Sequence, residues 1–275
     1  MPRYYDTLAP DAISDELLPV IDELGLRENC RELAEEGWTI LRDVGGESFN
    51  EALRSELLRI AERSPISVGG QGGGGMLLTE GDVFARAVLN PKLMAMAEFS
   101  VGRGFLISQV AGSVRTKGAP CIGLHAEHNW LPAPFPEHNM LLSAIWACDE
   151  FSKDGGATLI IPGSHRERRH PTLEEAMWNK GAIAVECPPD SVVLWDGNLW
   201  HSNWPKKTDG QRVVCHILYS RLSMRPIEDY GPWADELIEQ HGAPMSQLMG
   251  REDFLSSQGG PPSELVVQTF NNAKR

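Results

Sequence analysis

Apolar residues recur at helical spacing through the first hundred positions and give way, from Phe105 onward, to short apolar runs broken by Gly, Pro and Asp. A shift from a period near 3.6 to continuous or alternating runs marks a passage from helices to strands. The stretches from Ser14 to Leu24 and from Arg27 to Glu36 are predicted as short amphipathic helices, the second stopped by Gly37. Ser48-Phe49-Asn50-Glu51 has the form of a capping box, and the stripe Leu53, Leu57, Leu58 and Ala61 predicts a longer helix that Ser64-Pro65 ends. Asn90-Pro91 opens a further helix through Met94 and Ala97. The later runs predict a double-sheet β structure with its strands separated by turns. No internal repeat or linker divides the chain, so 1–275 is expected to form one domain, mainly β with flanking helices. Its parts are a helical N-terminal portion to residue 100, a jelly-roll core over 101–222 and an extension over 223–275.

The β-rich part carries the chemistry. In extended chain, residues i and i+2 project to one side, so His125 and Glu127 can both reach one metal ion while Ala126 and His128 point away. A third ligand must come from another strand, and His201 follows the apolar run Ser191-Val192-Val193-Leu194-Trp195 and its turn Asp196-Gly197-Asn198. Two imidazoles and one carboxylate can hold one face of Fe(II), leaving positions for an oxidising co-substrate and O2. Arg212 opens the strand-like run Arg212-Val213-Val214-Cys215-His216-Ile217-Leu218-Tyr219. A guanidinium in an apolar strand needs an anionic partner, because an unpaired buried charge is costly. A dicarboxylate co-substrate gripped by its fork would serve.

On these motifs the chain resembles the phytanoyl-CoA dioxygenase family of Fe(II)- and 2-oxoglutarate-dependent oxygenases. Glu36-Gly37-Trp38-Thr39-Ile40-Leu41 is similar to the family's opening helix and Gly-aromatic strand. The segment from His125 through Leu141-Leu142-Ser143-Ala144-Ile145-Trp146 to Asp154-Gly155-Gly156-Ala157-Thr158, Ile160-Ile161-Pro162-Gly163-Ser164-His165, His201 and Arg212 follows its order and spacing. The resemblance implies a double-stranded β-helix of the cupin type. It also implies Fe(II) held by His125, Glu127 and His201, and 2-oxoglutarate anchored by Arg212. Trp146 resembles the tryptophan that lines the family's 2-oxoglutarate pocket, and Gln109, on the run Leu106-Ile107-Ser108-Gln109-Val110, is a further candidate donor to a bound carboxylate. The implied reaction oxidises an unactivated C–H bond, usually to the alcohol, while O2 and 2-oxoglutarate become succinate and CO2. One residue departs from the pattern, since the family usually has Asp where this chain has Glu127. Halogenating relatives have Gly or Ala there, so a carboxylate implies hydroxylation or a related oxidation.

Composition narrows the partners. A formal net charge of −13 disfavours nucleic acid and anionic membranes, and no apolar run has the length of a membrane span. Small-molecule substrates remain, for a monomer or homodimer with no membrane insertion. The start lacks the apolar stretch of a signal peptide, so a cytoplasmic protein is expected. Cys30, Cys121, Cys148, Cys187 and Cys215 show no zinc spacing and are expected to be small buried fillers. The glycine run over 69–75 reads either as a flap over the pocket mouth or as a plain surface loop. The basic cluster His165-Arg166-Glu167-Arg168-Arg169-His170 is either a receiver for a substrate's anionic tail or a solvated charge run. With only that cluster to hold a nucleotide handle, a small hydrophobic metabolite is favoured over an acyl-CoA. A cupin-like metal protein that does not use 2-oxoglutarate is the alternative from another class.

Overall fold

The computed structural model describes residues 12–63 and 72–252. In chain order the elements are α1 (Leu18–Glu23), α2 (Arg27–Glu36), β1 (Trp38–Leu41), α3 (Glu47–Arg63), β2 (Gly72–Gly74), α4 (Asp82–Val88), α5 (Pro91–Val101) and β3 (Leu106–Thr116). They continue with β4 (Leu141–Ala147), β5 (Thr158–Ile160), α6 (Leu173–Trp178), β6 (Ile183–Ala184), β7 (Ser191–Asp196), β8 (His201–Asn203), β9 (Gln211–Ser220), α7 (Ala234–His241) and α8 (Ala243–Leu248).

Two antiparallel sheets face each other. The larger has the order β1-β7-β4-β9-β3-β2 and the smaller β6-β5-β8. Alternation divides the large sheet's side chains between two cores. Leu142, Ala144, Trp146, Val192, Leu194, Val213, Cys215 and Ile217 pack with apolar residues of α2 to α5. Ile145, Ala147, Val193, Trp195 and Val214 point the other way and meet Phe151, Ala157, Ile160 and Leu199 between the sheets. The result is a mainly antiparallel, cupin-like sandwich with flanking helices, in which the sheet is not closed into a barrel.

The helical stripes behave as the spacing predicts, with Leu53 and Leu57 of α3 buried and Asn90 capping α5 by accepting from Lys92 N. Three details differ. The first helix begins at Leu18, because Ser14 Oγ accepts from Leu17 N and holds a turn ahead of it. Ser48 lies inside α3, which starts at Glu47 after Gly46, so the four-residue signature is not a cap. The N-terminal hundred residues also supply β2, which with the expected strand after Gly37, β1, forms the two edges of the large sheet.

A carboxylate from beyond β9 secures one of those edges. Glu228 accepts from Met76 N (2.8 Å), from Val110 N on β3 (2.8 Å) and from the Tyr230 hydroxyl. A Cβ on Gly75 would lie 2.7 Å from Glu228 Oε1, so glycine is what permits that approach. Of the predicted glycine run, 69–71 lie outside the described residues, while Gly72–Gly74 form β2 and Gly74 and Gly75 border the large pocket.

Candidate metal centre

His125 and Glu127 were expected on a strand, but they sit in an irregular connection that bends at Glu127 and whose one ladder contact is the bridge between His125 and His201. The i, i+2 geometry survives without a strand, because backbone bonds fix the segment at both residues. His125 N and His201 N each bond the other's carbonyl (3.1 and 2.9 Å), and Glu127 N donates to Gly197 O (2.9 Å). A Cβ at Gly197 would fall 2.7 Å from Leu141 O and 3.1 Å from the His128 ring, so the turn before His201 closes only around a glycine.

One side-chain atom from each of His125, Glu127 and His201 lies within 4.8 Å of the others. Each imidazole has its Nδ1 on a backbone carbonyl, His125 on Gly123 (2.7 Å) and His201 on Leu199 (3.0 Å). That bond places the proton on Nδ1 and leaves Nε2 as a lone-pair donor aimed at the cluster. Glu127 Oε1 accepts from Ser143 Oγ on β4 (2.8 Å) and lies 3.2 Å from His201 Nε2. Burial raises the carboxyl's proton affinity, but His201, His125 and Ser143 together outweigh it and hold the group well below the usual carboxylate range. A carboxylate oxygen and two imidazole Nε2 atoms converging in this way are a donor set that fits a divalent metal ion. From its loop, Glu127 reaches both Ser143 and His201 through the same oxygen.

The cluster opens into a pocket of about 620 Å³ also bordered by Gln109, Arg115, Trp195, Arg212 and His216. Arg212 is 5% exposed, donates to Gly156 O, lies 4.9 Å over the Phe151 ring and has an Nε without a partner among the described residues. Burial, with the nearby Arg115 charge, pushes its guanidinium down to about 9. A cation held this unfavourably fits the distal carboxylate of a bound dicarboxylate.

Gln109 borders the same pocket, but in the row Ser143–Leu218–Gln109 across β4, β9 and β3. Six strand residues, about 20 Å, separate it from Arg115, which puts it at the metal end and not beside Arg212. Trp146 is corrected outright. It is fully buried on the helix side of the sheet, 5.2 Å from the Phe49 ring, while its neighbours Ser143 and Ile145 face the pocket. Strand parity forbids it from lining the co-substrate site.

The aromatic residues near the ligands divide. Trp195 borders the pocket with its ring 4.7 Å from that of His201, Phe135 and Trp200 fill a separate apolar cluster, and Trp130 is exposed. The basic cluster is occupied with local partners, since Arg169 pairs with Glu175, Arg168 donates to Phe135 O and Arg166 to Glu35 O. Four cysteines are buried, whereas Cys121 is exposed.

Sequence reasoning passed over Ser143, Arg115 and His216. His216 shares the pocket face of β9 with Arg212, four residues earlier, and burial with the Arg212 charge pushes it down to about 4. Counting in twos from Arg212 would have found it. Arg115, like Arg212, is a buried cation on a strand, but its strand mixes small and polar residues and so carries a weaker signal.

Comparison with known proteins agrees with this geometry. Residues 80–214 match the model of the family described as phytanoyl-CoA dioxygenase (PhyH). Dioxygenase af480 of Aspergillus fumigatus is 31% identical over 158 residues, covering 56% of this chain and 50% of that protein, so the chain spans about half of that relative's length. An uncharacterized Mycobacterium tuberculosis protein, Rv1501, is 22% identical over 227 residues, 78% of this chain and 82% of that one. Among solved structures, HygX from Streptomyces hygroscopicus with nickel, 2-oxoglutarate and hygromycin B bound superposes with a TM-score of 0.63 at 20% identity, covering 73% of this chain and 89% of that one. HygX with iron bound superposes with a TM-score of 0.57, at 20% identity and with 78% and 90% of the two chains covered. Fold, matched segment and donor set point the same way: over residues 80–214 the chain is similar to the phytanoyl-CoA dioxygenase family.

Proposed function

We propose that the protein is an Fe(II)- and 2-oxoglutarate-dependent dioxygenase that hydroxylates, or otherwise oxidises, an unactivated C–H bond of a small metabolite. The observation that carries this reading is one pocket holding both the His125, Glu127, His201 cluster and the buried guanidinium of Arg212. A metal protein indifferent to 2-oxoglutarate has no evident use for that cation.

His125, Glu127 and His201 would hold the iron, with Ser143 and the Gly123 and Leu199 carbonyls fixing the directions of their donor atoms. Arg212 would pair with the distal carboxylate of 2-oxoglutarate. Fe(II), 2-oxoglutarate and O2 together supply a C–H-oxidising chemistry coupled to release of succinate and CO2. The protein's part is to orient the bond that reacts and to exclude water from it. Trp195 and Ile145 cover the inner wall between the sheets, Gln109 and Leu218 lie in the Ser143 row at the metal end, and Gly74 and Gly75 border the same pocket, so substrate would lie against this part of the wall.

That wall mixes Leu218 and Ile217 with Gln109, Ser143 and His216, which suits a metabolite with an apolar body and some hydrogen-bonding groups. An acyl-CoA is disfavoured, because the basic cluster that would grip a nucleotide handle is already bound to Glu175 and to backbone carbonyls. The test is anaerobic titration with Fe(II) and 2-oxoglutarate. A metal-to-ligand charge-transfer band in the visible is expected, and a protein that binds iron without developing it with 2-oxoglutarate refutes the reading.

A further inference from the structure

The register of β3 and β9 pairs Arg115 directly with Arg212. Directly opposed residues project to the same face with Cβ atoms about 4.5–5.5 Å apart, and like charges so placed repel. Both side chains are buried, Arg115 at 1% and Arg212 at 5% exposure, and both border the pocket that contains the metal cluster. Each spends one terminal nitrogen on a backbone carbonyl, Arg115 on Pro120 and Arg212 on Gly156, and each has an unpartnered Nε. Asp149, whose charge reaches Arg212, is committed elsewhere, with Oδ1 on Arg54 Nε and Oδ2 on Val213 N, both at 2.8 Å. Among the described residues neither arginine has an ion-pair partner.

Two adjacent buried cations lacking a protein anion are a strongly unfavourable arrangement unless a ligand neutralises them. We propose that Arg115 and Arg212 form a two-arginine clamp in which the distal carboxylate of 2-oxoglutarate bridges the two guanidiniums, one oxygen to each. The inference rests on the function proposed above and adds a second binding residue to it. It also gives the Arg115–Pro120 bond a purpose. That bond fixes the Arg115 side chain from the loop leading to His125, so the far wall of the clamp and the first metal ligand share one support.

The competing role for Arg115 is to brace that loop and nothing more. A pair of ligands separates the two, 2-oxoglutarate and 2-oxopentanoate, which shares the keto acid but ends in a methyl group. Calorimetric binding to the Mn(II)-loaded protein without O2 is measured for wild type, Arg115→Gln and Arg115→Lys. For Arg115→Gln, which keeps a donor for Pro120, the 2-oxoglutarate Kd is expected to rise about 10- to 100-fold, the usual worth of a hydrogen bond to a charged group. The 2-oxopentanoate Kd is expected to move by less than about threefold, because that ligand offers the clamp nothing. Arg115→Lys is expected to fall between wild type and Gln for 2-oxoglutarate, since the charge remains but the fork is lost. An unchanged 2-oxoglutarate Kd in Arg115→Gln, or equal losses for both ligands, overturns the clamp. A wild type that binds 2-oxoglutarate no better than 2-oxopentanoate would instead remove the distal-carboxylate site itself, and the proposed function would fall before any variant is compared.

Discussion

Removing the Ser143 hydroxyl should weaken metal binding without touching a metal ligand. Ser143 Oγ donates to Glu127 Oε1 at 2.8 Å from a buried position on β4. A hydrogen bond to a charged group is worth about 1.5–3 kcal/mol. With tenfold in affinity for each ~1.4 kcal/mol, Ser143→Ala is expected to bind metal about 10- to 100-fold more weakly, the range found for such supporting groups. The sign of the pH dependence follows as well. Burial raises the Glu127 carboxyl while His201, His125 and Ser143 lower it, so loss of the hydroxyl raises its proton affinity. A protonated carboxyl is a poor ligand, and the acid limb of metal binding should move to higher pH in the variant. Anaerobic Mn(II) titration by calorimetry across the acid range reads both effects, with circular dichroism confirming the fold. Wild-type affinity and an unmoved acid limb in a folded Ser143→Ala protein would refute the assignment of Glu127 as a ligand held by Ser143.

Other perturbations test other parts of the site. Arg212→Lys should raise the 2-oxoglutarate Kd and Arg212→Ala should raise it further, by about 2–5 kcal/mol in binding, with Mn(II) affinity in the absence of 2-oxoglutarate nearly unchanged; calorimetry checks both. Gly197→Ala should cost about 1–3 kcal/mol of stability and weaken metal binding, because its Cβ meets the Leu141 carbonyl at 2.7 Å where no side chain can swing aside; denaturant melts and Mn(II) titration measure the two losses. Burial raises Asp196 to about 7, opposed by the Asn198 N–H, so the folded state holds its proton where the unfolded chain has lost it. The stability tied to that proton is present below the unfolded value, near 3.8, and is lost as pH rises through about 7. Asp196→Asn should therefore gain on wild type in melting temperature between pH 5 and pH 8, and parallel curves would contradict that sign.

The grouping of His125, Glu127 and His201 was legible because much of its information is local. His125 and Glu127 are two residues apart, and backbone bonds to His201 and Gly197 bring both side chains to one cluster where no strand forms. The burial of Arg212 at the same pocket was legible for a different reason, its place within an apolar run. Arg115 is buried too and was missed, because its strand, LISQVAGSVRT, mixes small and polar residues and does not declare itself buried. Trp146 was misplaced because all seven residues of β4 are buried, so the run offers no alternation by which to tell the face toward the helices from the face toward the pocket. Ser143 is the one polar side chain in that strand, and its parity identifies the pocket face once a partner for it is sought. The helix starts at Ser14 and Ser48 failed for an ordinary reason. Serine also caps turns and sits within first turns, so the signature locates the end of a helix only to within a few positions.

The bond between Glu228 and Met76 bears on how this scaffold can be given a new substrate. The rim at Gly74 and Gly75 looks like a loop to be exchanged freely between relatives, yet its shape is imposed from outside by a residue about 150 positions later, which also grips Val110 on β3. A graft of the rim alone would import a loop shaped for some other anchor and leave Glu228 facing a backbone that no longer offers it an N–H. The smallest transferable unit is therefore discontinuous: the rim together with the 226–230 segment. Libraries that randomise the rim while holding Gly75, Met76 and Glu228 constant should retain many more folded members than those that vary all positions alike.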